Sequence, residues 1–240
     1  MALIDWVIAY RKFDEASWDT ADSSGNGYTL TNIWTAVYSA GKLWNWVSTV
    51  PWKYLKNDTF LDGWLADRTC CYRLKTTNSV NSFLVDKTSS WLPYPFEHRI
   101  QADGTLVLTL DDDNTFNTPS VRTTASAVND WNWHFIVLEG SRSWGRASIK
   151  ISVDNVSNGS LTTSWTVDSG WIYADGTYDF TVMVRGDLSE GFTWQIDELW
   201  FWNRVLSAWE KTSIYNWWTW ITYPFTPVAA QNPNNMFHFF

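Results

Sequence analysis

The stretch QIDELWFWNRVLSAWEKTSIYN, residues 195–216, decides the fold. It opens as an apolar strand, expected over Thr193–Trp202, turns at Asn203-Arg204 and restarts as a helix. Ser207 is placed to cap the first helical turn, and Glu210, three residues on, to return a bond to the cap's N–H. The helix is expected to run to about Asn216 and to be the only good one in the chain.

Upstream, short β-branched and aromatic runs alternate with period 2 and are broken every 8–12 residues by Asn, Asp, Gly, Ser or Pro, the pattern of a sandwich or barrel. Strands are expected at Val7–Phe13, Val80–Asp86, Glu97–Gln101, Thr105–Leu110, His134–Glu139, Ala147–Val153 and Tyr178–Val184. Ala-Asp-Gly between Gln101 and Thr105, and Asp175-Gly176, read as hairpin turns of a mainly antiparallel sheet. The expected organisation is one sandwich, residues 1–222, followed by a tail, residues 223–240, that is either a strap or a segment docking on a neighbouring subunit.

The 240 residues carry 17 Lys+Arg against 25 Asp+Glu, a net charge of −8. That balance excludes phosphate-backbone recognition, which needs clustered cations, so no nucleic-acid partner is expected. No run reaches the roughly 18–20 apolar residues of a membrane span, and the opening MALIDWVIAY has no basic n-region or long apolar h-region. No membrane insertion is expected. Cys70 and Cys71 are neighbours; if they lie on a strand, their side chains point to opposite faces, so two thiols are expected rather than a disulfide.

The ordered pieces IAYRKFDEAS, ADSSGNGYTLTN, DWNWHFIVLEG and ISVDNVSNGS, closed by residues 195–216, resemble the laminin-G-like, concanavalin A-like lectin/glucanase superfamily in the short form found in phage and bacterial surface proteins. The resemblance spans roughly Val7 to Pro224. It implies an all-β antiparallel jelly-roll sandwich with one short C-terminal helix, and it implies that the Asp197-bearing strand pairs near the first strand.

Against that pattern, Trp6, Trp18, Trp44, Trp46, Trp52, Trp131, Trp165, Trp194, Trp200, Trp217, Trp218 and Trp220 stand where the superfamily has glycine, whereas Trp133 and Trp202 resemble its true tryptophans. Physical chemistry points the same way. Asp130-Trp131 occupies a place where Asp-Gly makes a hairpin, and Asn216-Trp217 one where a helix ends on a left-handed glycine. The chain has 20 Trp and only 12 Gly, where about 17 Gly are ordinary. Two readings stay open: UGA codons meaning glycine have been translated as tryptophan, or the tryptophans are real and serve as sugar platforms.

The glucanases of this superfamily carry two glutamates and an aspartate as E-x-D-x-x-E on one strand face, and no such run is present. Glu15, Glu97, Glu139, Glu190, Glu198 and Glu210 are scattered, and Asp197 and Glu198 are expected to face opposite ways. No G-x-S-x-G, H-E-x-x-H, P-loop or G-x-G-x-x-G occurs, and His98, His134 and His238 lack metal-ligand spacing. The pairing implied by the resemblance lets Glu15, Asp22, Asn26 and Asp197 converge on a structural calcium. The alternative is an Asx-rich turn satisfying its own backbone. Asp111-Asp112-Asp113-Asn114 reads as a second calcium candidate or an acidic solvated turn. Trp91, Tyr94 and Trp144, with Phe96, are candidate platforms for sugar faces.

The expected function is a non-catalytic carbohydrate-binding or adhesion module on a virion or extracellular surface, recognising a cell-surface glycan or polysaccharide. The alternative is a structural virion or surface-assembly protein that packs against its own copies as a homo-oligomer, or against other virion proteins. A polysaccharide hydrolase stands third.

Overall fold

The computed structural model describes residues 3, 6–16, 18–40, 45–48, 53–61, 67–88, 96–109, 120–123, 127–143, 146–157, 159–161, 178–185 and 195–216. Among them are sixteen strands: β1 (Val7–Arg11), β2 (Thr31–Ile33), β3 (Val37–Ala40), β4 (Asn45–Ser48), β5 (Tyr54–Asn57), β6 (Arg68–Lys75), β7 (Ser82–Lys87), β8 (Phe96–Ile100), β9 (Leu106–Thr109), β10 (Ser120–Thr123), β11 (His134–Ser143), β12 (Arg146–Val153), β13 (Val156–Ser157), β14 (Gly159–Leu161), β15 (Phe180–Val182) and β16 (Gln195–Trp202). One helix, α1 (Ala208–Asn216), follows. The strands form two antiparallel sheets. One runs β13-β12-β11-β6-β16-β4-β3, with β1 also on β16, and the other runs β14-β10-β9-β8-β7-β15-β5-β2.

The pairing of β1 with β16 places Arg11 opposite Leu199 and Tyr10 opposite Trp200, as the resemblance implied. Inward side chains of both sheets share one core, to which β16 gives Ile196, Leu199 and Phe201, β6 gives Cys70, Tyr72 and Leu74, and the second sheet gives Leu84, Phe96, Leu108 and Phe180. The outer face of the first sheet carries a second apolar cluster with Tyr10, Cys71, Phe135, Trp200 and Trp202, which Leu206 and Ile214 cover. Cys70 and Cys71 therefore serve different clusters and are free thiols.

Two polar side chains pin the sheets together. His98 on β8 is fully buried, with Nδ1 2.8 Å from the Val107 carbonyl. A carbonyl only accepts, so Nδ1 carries the proton and Nε2 accepts from the Tyr72 hydroxyl on β6. Burial lowers the His98 pKa to about 4, which keeps the ring neutral for that role. Arg11 lies buried with its guanidinium 4.6 Å from the Phe60 ring centroid and 5.7 Å from that of Phe180, and donates to the Tyr28 carbonyl at 2.7 Å.

The capping box forms as read: the Ser207 hydroxyl accepts from Glu210 N–H, and Glu210 Oε2 accepts from Ser207 N–H at 2.8 Å. Residues 151–160, whose ISVDNVSNGS reads as a hairpin, do turn back from β12 into β13, whereas strands β2 to β6, β10 and β14 were not foreseen. The expected strand at Tyr178–Val184 shortens to Phe180–Val182, and Met183, at φ 74°, turns out of the regular strand while its N–H still donates to the Leu84 carbonyl at 2.8 Å. Asp175-Gly176, Asp111–Asn114 and the tail, residues 223–240, lie outside the described residues.

The Ala-Asp-Gly hairpin depends on Gly104, at φ +80°, whose N–H donates to the Gln101 carbonyl at 2.9 Å. A Cβ there would sit 2.2 Å from Asn129 Oδ1. Replacing Gly104→Ala should therefore lower unfolding stability by at least about 1–2 kcal/mol, read as a lower denaturant midpoint at unchanged m-value.

Candidate functional site

The loop after β1 is organised by Asp22. Its Oδ1 accepts from Tyr10 N–H at 3.0 Å, Ser24 N–H at 2.9 Å and the Ser24 hydroxyl at 2.6 Å, and its Oδ2 accepts from Tyr28 N–H at 3.0 Å. Burial pushes the Asp22 pKa up, but these bonds outweigh it and hold the carboxyl below its usual range. Asn26 donates its side-chain amide to the Val7 and Ile8 carbonyls at 3.1 and 3.2 Å. Glu15 flanks the same loop and accepts from Ala21 N–H at 2.9 Å. These bonds make the Asx-rich turn that was the alternative reading of the loop. Among the described residues no group of three or more His, Cys, Asp or Glu is placed to hold a metal.

Asp197 lies apart from that loop, on β16 beside Glu198. The two carboxyls were expected to face opposite ways, and the structure corrects this. A bulge between Asp197 and Trp200 breaks the register with β6. Ile196 and Leu199 both enter the inner core, so the two residues between them fall together on the outer face. There the Tyr10 hydroxyl donates to Glu198 Oε2, with the Arg73 guanidinium and Asp197 close enough to act on it electrostatically. Burial, then the Asp197 charge, raise the Glu198 pKa to about 8, and burial raises that of Tyr10 well above the ordinary phenol value. The Trp200 ring lies over Tyr10, centroids 3.3 Å apart and planes 12° from parallel. Such a neutral acid is suited to donating a proton, but here it is closed off from solvent.

His134 has a different environment. Its Nε2 lies 2.9 Å from Asp130 Oδ1 and its Nδ1 2.8 Å from Asp154 Oδ2. Bonding to Asp154, opposed by burial and joined by Asp130, raises its pKa, and the ring ties two turns together.

Trp91, Tyr94 and Trp144 lie outside the described residues. An open groove of about 620 Å³ instead runs along the β16–α1 turn, lined by Asp67, Arg204, Val205, Ser207, Trp209 and Glu210. Arg204 grips Glu210 with two bonds of 2.9 and 2.6 Å. Beside this ion pair the Trp209 side chain is 74% exposed. An apolar ring next to fixed hydrogen-bonding groups is what a sugar face requires. The sequence signal was present but unused: Glu210 and Ile214, four apart, face inward, which turns Trp209 out.

No protein-family model matches the chain, and no curated protein matches its sequence. Its structure is similar to the binding domain of Paraclostridial Mosquitocidal Protein 1, with a TM-score of 0.64 and 12% identity over 90% of this chain and 53% of that one. It is similar to the binding domain of botulinum neurotoxin DC in complex with rat synaptotagmin II, with a TM-score of 0.66 and 10% identity over 91% and 53%. A third likeness is to botulinum neurotoxin type C, whose cell entry is dependent upon interaction with two ganglioside molecules, with a TM-score of 0.64 and 11% identity over 91% and 52%. At these identities the likeness establishes the fold alone. The chain spans about half the length of these structures.

Glu198 makes stability depend on pH. Its pKa is about 8 folded against an ordinary 4.5, so between these values the folded chain holds the extra proton. Its contribution is full below pH 4.5 and is lost as pH rises through 8. Glu198→Gln, which still accepts from Tyr10, should flatten this fall. Denaturant midpoints from pH 5 to 9 should converge at the acid end and favour the variant at the alkaline end.

Proposed function

We propose that the chain is a non-catalytic carbohydrate-binding or adhesion module, a laminin-G-like jelly-roll sandwich displayed on a virion or other extracellular surface, whose ligand is a surface glycan. The observation that carries this reading is the groove beside α1, where the exposed Trp209 ring stands next to the Arg204–Glu210 pair and Asp67. Stacking on the ring buries a sugar's C–H face while the charged groups accept and donate to its hydroxyls.

Two further observations support it. The structurally similar proteins named above are binding domains, one from a toxin whose entry depends on gangliosides. Two carboxyl pairs that share a sheet face among the described residues, Asp197 with Glu198 and Asp86 with Glu97, are buried. No helix among the described residues is long and apolar enough to cross a membrane.

The test is a glycan array probed with the full chain, followed by titration of any hit. Binding that falls about tenfold in Trp209→Ala, equal to the roughly 1.4 kcal/mol of one aromatic contact, is the expected result. The melting temperature should stay unchanged, since the ring is exposed. Silence across the array, or a hit indifferent to Trp209 and Arg204, overturns the groove as the binding site.

A further inference from the structure

We infer that the functional polypeptide carries glycine at positions 6, 18, 34 and 131, encoded by UGA codons that its source reads as glycine. The backbone carries this inference. Trp6, Trp18, Trp34 and Trp131 have φ of 69°, 78°, 60° and 67°, the left-handed region that Gly25, Gly27 and Gly104 also occupy. For a bulky side chain that conformation is an outlier, whereas glycine adopts it freely. Eleven described non-glycine residues have positive φ. Phe13, Thr35, Leu61, Asp154, Asn155, Met183 and Glu198 contribute one each, and tryptophan contributes four. No general distortion of the loops concentrates on one residue type.

Burial gives these rings no compensating reason to be there. They are 59%, 83%, 73% and 44% exposed. Trp202 is the contrast: it is fully buried in β16, has ordinary φ, and donates its indole N–H to the Leu3 carbonyl at 2.9 Å. Each of the four also sits in a turn or bend outside the strands. Trp6 immediately precedes β1, Trp34 follows β2, and Trp18 lies in the loop between those strands. Trp131 occupies the turn in which Asn132 N–H donates to Asp130 Oδ1 at 2.8 Å, and its own N–H donates to the Thr76 carbonyl at 2.9 Å. Position 34 escaped the sequence comparison and is found by backbone geometry alone.

Trp46 and Trp200 lie in strands with ordinary φ, and Trp209 lies in α1, so the backbone argument does not extend to them. Position 209, whose ring the groove reading needs, is therefore decided by its own codon and mass.

The test has two parts. The gene is sequenced and the protein from its source is mapped by peptide mass over positions 6, 18, 34, 131 and 209. UGA codons with glycine masses at the first four are expected, and UGG codons or tryptophan masses there overturn the inference. A glycine mass at 209 leaves it standing and removes only the groove's ring. Separately, in the chain that carries tryptophan at all four positions, Trp→Gly and Trp→Ala are made at each of them. The glycine variant should melt above both the parent and its alanine partner, by about 2–4 °C against alanine, because alanine keeps the Cβ that left-handed backbone disfavours. Alanine variants melting as high as glycine ones would mean that the gain comes from removing a surface ring, and would overturn the backbone argument.

Discussion

Strand β16 is the constraint on which the rest of the architecture depends. One edge bonds to β6 along its length, and the other bonds first to β4, at Gln195 and Ile196, and then to β1, from Leu199 to Trp202. Asp197 and Glu198 occupy the handover between the two partners, and the bulge there is the local cost of serving both. Both faces of the strand are apolar. The inner one fills the core between the sheets and the outer one seats α1. A strand polar on one face would support either the sandwich or the helix, and not both.

That double burial explains which parts of the fold were legible in the sequence. The closing segment could be read because its pieces are local: apolar strand, Asn-Arg turn, Ser207–Glu210 capping box. The hairpin at Gly104 was legible for the same reason. Arg68–Lys75 was not, although it is the central partner of β16. With α1 over one face and the second sheet over the other, its sequence RTCCYRLK shows no alternation of apolar and polar residues. Strands β2 to β5 are three or four residues each, too short for any period to register.

The site was less legible, again for physical reasons. Asp22 was read as one of four candidate calcium ligands or as part of an Asx-rich turn, and the partners that hold it include backbone N–H groups of Tyr10, Ser24 and Tyr28, which a sequence does not display. The shared face of Asp197 and Glu198 comes from one extra residue in a ladder, and a strict period of two assigns those side chains to opposite sides. The groove joins Asp67 to Arg204 across the pairing of β6 with β16, a juxtaposition that exists only once the sheet is made.

The groove owes its rigidity to the same contacts that stop the strand and start the helix. Glu210 closes the capping box with Ser207 and at the same time holds Arg204 through both of its oxygens. Burial pushes its pKa up, but the bonds from Arg204 and Ser207 bring it down to about 2, so the pair stays charged through the neutral range. The hydroxyl of Thr69 on β6 accepts from Leu206 N–H at 3.0 Å and donates to the Arg204 carbonyl at 2.9 Å, fastening the turn to the sheet from below. A ligand meeting this surface has no long side chains to order before it binds, apart from the Trp209 ring, and pre-organised polar groups keep more of their contact energy as affinity. Folding and recognition therefore draw on one set of bonds. A change that loosens the cap should weaken both, whereas a change confined to the ring should separate them.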